Sequence, residues 1–220
     1  FTGDMYFERP LGKSISKKSF IPYINSIAYN DFQNEIKGDN FEFGGDAKFI
    51  LDNSLTLDLT VNPDFSQVEV DQQVTNLTRF EISLPEKRQF FIENSDLFTE
   101  LGNGREARPF FSRRIGIAKD LDGNNVQNKI IAGLRLSGNI NKKLRVGLLN
   151  MQTKQDLDNE ISAYNNSIFV LQQKVFGRSN FNAFFINRDA TSNYDFLDNN
   201  EKFNRVLGFD YNLRDVNSKW

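Results

Sequence analysis

The chain contains no cysteine and no histidine. The first absence removes disulfides and thiolate metal sites. The second removes the commonest general base and the commonest transition-metal ligand. Serine–histidine and cysteine–histidine mechanisms are thereby excluded, and any chemistry would rest on carboxylates, lysine, tyrosine or a hard cation. No stretch approaches ~18 consecutive apolar residues, so no transmembrane helix is expected, although a membrane-crossing strand needs no such run. An excess of one charge is lacking too: 27 Lys and Arg stand against 29 Asp and Glu, a net of −2. That leaves no basic footprint for a phosphate backbone, and no nucleic-acid partner is expected.

Length allows one large or two small domains. The chain starts at Phe1 rather than Met, shows no basic start followed by an apolar run, and ends at Trp220 just as a further segment begins. The expectation is an internal fragment of a larger polypeptide, 1–220.

What is present is period-2 alternation. Leu55, Leu57, Leu59 and Val61 alternate with Thr56, Asp58, Thr60 and Asn62. Ala132, Leu134 and Leu136 alternate with Gly133, Arg135 and Ser137, and Leu207, Phe209, Tyr211 and Leu213 with Gly208, Asp210 and Asn212. Each is a strand with one apolar and one polar face. Short turns separate 47–51 from 54–62, 130–140 from 144–152 and 167–176 from 180–188, as in antiparallel hairpins. Longer polar connections rich in Asn and Asp lie at 118–128, 153–165 and 189–203.

Two architectures fit. One is a soluble β-sandwich with one strand face in a core. The other is an outer-membrane β-barrel, apolar toward lipid and polar toward a lumen. Three features favour the barrel. Short turns alternate with long loops. Charged Asp58, Arg135 and Asp210 sit mid-strand on the polar face. Aromatics such as Tyr23, Tyr29, Phe41, Phe43, Phe181, Tyr211 and Trp220 fall near strand ends, where interface girdles lie.

One long segment breaks the alternation. Residues 63–117 are dense in charge and in Phe, too apolar for plain disorder and too long for an ordinary loop. Pro63 ends the preceding strand, 76–81 is a candidate short helix capped by Asn76 or Thr78, and Pro85 precedes Phe90, Phe91 and Ile92. The segment is expected to be a plug-like insertion into the lumen or across the periplasmic mouth. Its ion pairs would join Lys87, Arg88, Arg113 and Arg114 to carboxylates such as Glu69, Asp71, Glu81, Glu86, Glu93 and Asp96. Phe90, Phe91, Phe110 and Phe111 are expected to be largely buried.

An ordered string of motifs runs through the first half of the chain: Pro22-Tyr23, the strand Leu55–Phe65, Gln67–Asp71, Asn76–Glu81, Pro85–Glu93 and Phe110–Gly116. In these the sequence resembles the barrel region of large outer-membrane proteins of Bacteroidota that carry an N-terminal family-nine carbohydrate-binding domain. That barrel region is itself known as a domain of unknown function. The resemblance implies a Gram-negative outer-membrane location and lipid as a partner, with glycans or other outer-membrane proteins as further partners. It supplies no catalytic motif, and the carbohydrate-binding module would lie upstream of Phe1.

The function expected is therefore a barrel module for transport or surface scaffolding linked to glycan handling. The first alternative is a glycoside hydrolase with Glu86 and Glu93 as its carboxylates. Arginine neighbours count against it, since they lower a carboxyl pKa. The second alternative is a soluble carbohydrate-binding sandwich. The aromatic supply is 22 Phe against 1 Trp and 6 Tyr, whereas sugar platforms favour residues with a polar handle. No cofactor is expected. Asp120-Leu121-Asp122-Gly123 resembles the start of a calcium loop, but Ile131 stands where the bidentate Glu belongs, so the segment reads as a polar hairpin loop and no metal is expected.

Overall fold

In a computed structural model the chain is described over residues 17–31, 36–52, 54–63, 86–102, 108–123 and 125–214. Ten strands form among these residues: β1 (Lys18–Asp31), β2 (Ile36–Asp52), β3 (Leu55–Val61), β4 (Ile117–Lys119), β5 (Asn125–Gln127), β6 (Ile130–Asn139), β7 (Leu144–Thr153), β8 (Tyr164–Val175), β9 (Ser179–Ala190) and β10 (Phe203–Asn212). Eight make one antiparallel sheet in the order β1-β2-β3-β6-β7-β8-β9-β10, while β4 and β5 pair separately. The fold is mostly β, as the alternation requires. The sheet is open, however: these eight strands do not close on themselves into the expected barrel. The segment 118–128, read as a long polar connection with a hairpin loop at Asp120–Gly123, carries most of the β4–β5 hairpin. Asp122 N–H donates to the Asp120 carboxylate in its turn, and Gly123 supplies a left-handed φ of 81°.

Although β3 and β6 are far apart in sequence, they are immediate neighbours. Leu57 lies opposite Leu136 and Asp58 opposite Arg135. The chain therefore leaves the sheet after Val61 and returns to the same place at Ile130. The insertion read at 63–117 lies inside this excursion. Its described part folds back over one face of the sheet through two single-turn helices, α1 (Gln89–Ile92) and α2 (Asp96–Thr99), and a 3-10 turn at Ser112–Arg114.

That inner face holds the core. Phe91, Leu97, Phe98, Leu101, Phe110 and Ile115 from the excursion pack with Leu149, Met151, Ile168, Val170 and Phe184 from the wall. Phe90 packs against the cluster half-buried. Of the four phenylalanines expected inside, Phe91 and Phe110 are buried, and Phe90 and Phe111 are intermediate. Gly147 makes room for α2: a Cβ there would meet Leu97 and Phe98 at 2.8 Å.

The opposite face is apolar and uncovered. Leu57, Leu136, Leu148, Phe169, Phe185 and Leu207 form one cross-strand row, each opposite the next. Phe43 is 75% exposed and Phe209 64%. The short turns joining β2 to β3, β6 to β7 and β8 to β9 lie at one end of the sheet, while β1 and β2 are joined at the other. The excursion and the long connections 154–163 and 191–202 lie at the other.

Filling the Gly147 hollow should unseat α2. Gly147→Val is expected to cost about 1–3 kcal/mol by overpacking and to expose the excursion to protease. Denaturant midpoint and limited proteolysis of the full-length protein check both.

Candidate functional site

The excursion is anchored to the wall by a charged seat. Pairing places Lys48, Asp58 and Arg135 side by side across β2, β3 and β6, and strand alternation points all three inward. Arg135 is 2% exposed. Its Nε and Nη2 donate to Asp58 Oδ2 at 3.2 and 2.8 Å. Its Nη1 donates to the carbonyl of Phe90 and, at 2.8 Å, to that of Glu93. The Glu93 carboxylate sits 3.5 Å from Arg135 Nη2 and also takes the Lys48 ammonium. Two cations and two carboxylates thus balance in a site where an unpaired charge would cost several kcal/mol. The Phe90 ring lies 5.3 Å from the guanidinium carbon.

A second cluster stiffens the excursion itself. Arg88, 6% exposed, forks onto Glu86 through Nε at 2.8 Å and Nη2 at 2.7 Å. It also donates to the carbonyls of Ile115 and Ser112, at 2.5 and 2.7 Å. Ser112 Oγ donates to Glu86 at 2.6 Å, and the Phe91 ring stacks 4.2 Å from the guanidinium. Arg88 therefore ties the start of α1 to the 3-10 turn. Burial alone would raise the Glu86 pKa, but the Arg88 hydrogen bond and charge and the Ser112 hydroxyl together hold it below the usual carboxylate value.

Further ties run toward the short-turn end and the far edge. Asp96 pairs with Arg145 at 2.7 Å, whose hydrogen bond lowers the Asp96 pKa against a smaller opposing effect of burial. Asn94 donates to Ser137 at 3.1 Å, and Gly102 N–H to Asp210 at 3.2 Å. The excursion thus spans the inner face from β2 to β10. Between it and the wall lies a cleft of about 250 Å³ lined by Glu86, Phe91, Phe98, Ser112, Arg135 and Leu149, among others.

Glu86, Glu93 and Arg88 are thus placed in the two clusters, while Lys87 is exposed. Arg113 is 5% exposed, and burial lowers its pKa; Arg114 is exposed. Glu69, Asp71, Glu81, the candidate helix 76–81 and Trp220 lie outside the described residues. Sequence reading missed Lys48, Arg145 and Ser112. The inward position of Lys48, between Ala47 and Phe49, was the one signal available. Glu86 and Glu93 belong to separate networks, each occupied by a guanidinium, and the lowered pKa of Glu86 is the wrong direction for a general acid. Among the described residues no cluster of three or more acidic side chains is placed to hold a metal.

The chain matches one protein family over residues 16–215, described as Domain of unknown function (DUF5916). No curated protein and no solved structure matches it.

Two predictions follow from the clusters. Arg135→Ala leaves Asp58 buried without its cation and two carbonyls without their donor, and should cost about 3–5 kcal/mol; Lys48→Ala, at a side chain 38% exposed, should cost far less. Equilibrium unfolding ranks the two. The depressed Glu86 pKa contributes stability that is complete above the usual value near 4.5 and is lost as pH falls below it. Glu86→Gln should accordingly flatten the acid arm of the stability–pH profile.

Proposed function

The chain belongs to the DUF5916 family, and we propose that it forms eight consecutive strands of an outer-membrane β-barrel. The excursion is the lumenal filling of that barrel. The reading carries the further expectation of a transport or surface-scaffold module beside glycan-handling proteins.

The observation that carries the proposal is the inverted amphipathicity of the sheet. The inner face buries Asp58, Thr60, Arg135 and Ser137 beneath the excursion. The outer face presents Phe20, Ile24, Phe43, Leu207, Phe209 and Tyr211, each more than half exposed. A contiguous apolar face of this extent is rare on a monomer in water and marks contact with lipid or another apolar surface.

The slope of the apolar band favours lipid over a second packed sheet. On β2 the outward apolar residues Phe41, Phe43, Ala47 and Phe49 centre on Gly45. Followed across the pairings, Gly45 lies level with Val61, Ala132, Gln152, Asn165, Asp189 and Phe203. On β10, however, the band centres on Phe209, between Leu207 and Tyr211, six residues beyond Phe203 after six strand steps. The band therefore steps about one residue per strand. With ~3.3 Å per residue and ~4.8 Å between strands, a level membrane slab would cross strands tilted by about 35°, the tilt of membrane barrels. Outward Asn150, Gln152, Asn165 and Ser167, which hydrogen-bond with one another, then lie above the band on the long-loop side.

The glycosidase reading gains nothing from the geometry, because its two carboxylates serve as structural counter-ions. The soluble-sandwich reading would need a second sheet against the apolar face.

The full-length protein should require detergent to stay monodisperse and should migrate differently on gels before and after heating. Leu57→Arg, placed toward lipid, should cost about 2–4 kcal/mol near the bilayer midplane. A protein that is monodisperse without detergent and tolerates this arginine would defeat the barrel reading.

A further inference from the structure

The two ends of the sheet carry opposite charge, and the short-turn end has the composition of a surface for anionic headgroups. Its turns and strand ends, 17–18, 52–54, 139–144 and 174–179, hold Lys17, Lys18, Lys142, Lys143, Lys174 and Arg178 against the single carboxylate of Asp52 among the described residues. All six cations are exposed. The connections at the other end, 118–129, 154–163 and 189–202, hold nine carboxylates and four lysines among the described residues, and the described part of the excursion adds four carboxylates and five cations. A solvated surface with no partner gives no reason for such a separation along one axis, in a chain whose total charge is nearly balanced.

Apolar tips accompany the cations. Phe176 is 82% exposed at the β8–β9 turn and Ile140 53% exposed at the β6–β7 turn. Beside Phe176, a groove of about 400 Å³ is lined by Val175, Asn180, Phe181, Tyr211 and Leu213. The groove continues the outer apolar band, and Lys174, Arg178 and Arg214 flank its lining residues in the chain. Because the band slopes toward the short turns from β2 to β10, these turns follow its lower edge. Each cation therefore stands where an acyl layer gives way to headgroups, the position from which Lys and Arg snorkel.

We infer that the short-turn end is a docking surface for an anionic phospholipid layer, with the cations on headgroup phosphates and the Phe176 groove taking acyl chain. The inference rests on the barrel reading above. It also fixes the sidedness. Short turns face the periplasm in such barrels, so the excursion enters from the cell exterior, since it leaves and rejoins the sheet at the opposite end.

The test offers the full-length protein in detergent an equimolar mixture of phosphatidylglycerol and phosphatidylcholine and quantifies retained lipid by native mass spectrometry. Wild type should retain phosphatidylglycerol over phosphatidylcholine by about fivefold or more, the size of effect expected for even one cation near the surface. Lys142→Gln with Lys143→Gln, Lys174→Gln and Arg178→Gln should bring the ratio near one. Lys143→Gln alone should lower it part way, and Lys119→Gln with Lys154→Gln and Lys202→Gln at the other end should leave it unchanged. Heat-modifiable migration of every variant checks folding. No preference in wild type, a preference surviving the fourfold change, or equal loss in the long-loop variant overturns the inference while leaving the barrel standing. A wild-type protein that needs no detergent and shows no heat-modifiable migration brings down the barrel reading itself.

Discussion

The guanidinium of Arg135 is the constraint on which the inner half of the molecule depends. A buried cation must find acceptors, and among the described residues of the sheet Asp58 in the neighbouring strand supplies a carboxylate. The remaining donors are met by two carbonyls of the α1 region, Phe90 and Glu93. Meeting them fixes where the excursion lies and which way it runs. The Glu93 carboxylate then balances Lys48 in the same stroke. Apolar contacts are non-directional; Phe91, Leu97 and Phe98 contribute most of the attraction but not its orientation. The polar seat sets the pose, and the aromatic layer closes around it.

The sheet has its charged face covered and its apolar face bare. In water, a strand's charged face would be solvated and its leucines packed. Here Asp58 and Arg135 are covered, while Phe43 and Phe209 are bare. Turning the pattern inside out is stable only if something apolar meets the outer face, and the band that must be met is diagonal to the strands. A flat soluble partner has no reason to follow that diagonal, whereas the strand tilt of the proposed barrel would produce it directly.

Much of this was legible in the sequence because strands are read by local period. The faces of β3, β6 and β10, the hairpin turns and the inward charges Asp58 and Arg135 follow from alternation alone. So did the unusual status of 63–117, from its charge and phenylalanine content. The partners inside that segment were harder. Arg88 finds Glu86 only two residues away, which a local reading can reach. Arg145 finds Asp96, and Lys48 finds Glu93, across separations for which no period exists. Such pairs depend on the path of the excursion over the wall, and Gly147 as the hollow under Phe98 is visible only once that path is known. The strands β4 and β5 escaped, although the turn between them read as a hairpin loop, since three-residue strands are too short to show a period.

The way the excursion is held also bears on what the module does. Its contacts reach from Lys48 on β2 to Asp210 on β10, and between them lies a continuous apolar core that includes Met151 and Ile168, both 0% exposed. Lifting α1 and α2 away would uncover that core and leave Arg135 with Asp58 alone of its acceptors, two penalties that fall together. Excursion and sheet therefore behave as one unit. A route for solute along this wall would have to open without undocking α1 and α2. In the barrel proposed above, that weighs toward a surface scaffold, or toward transport governed elsewhere, and against this segment acting as a gate that swings free.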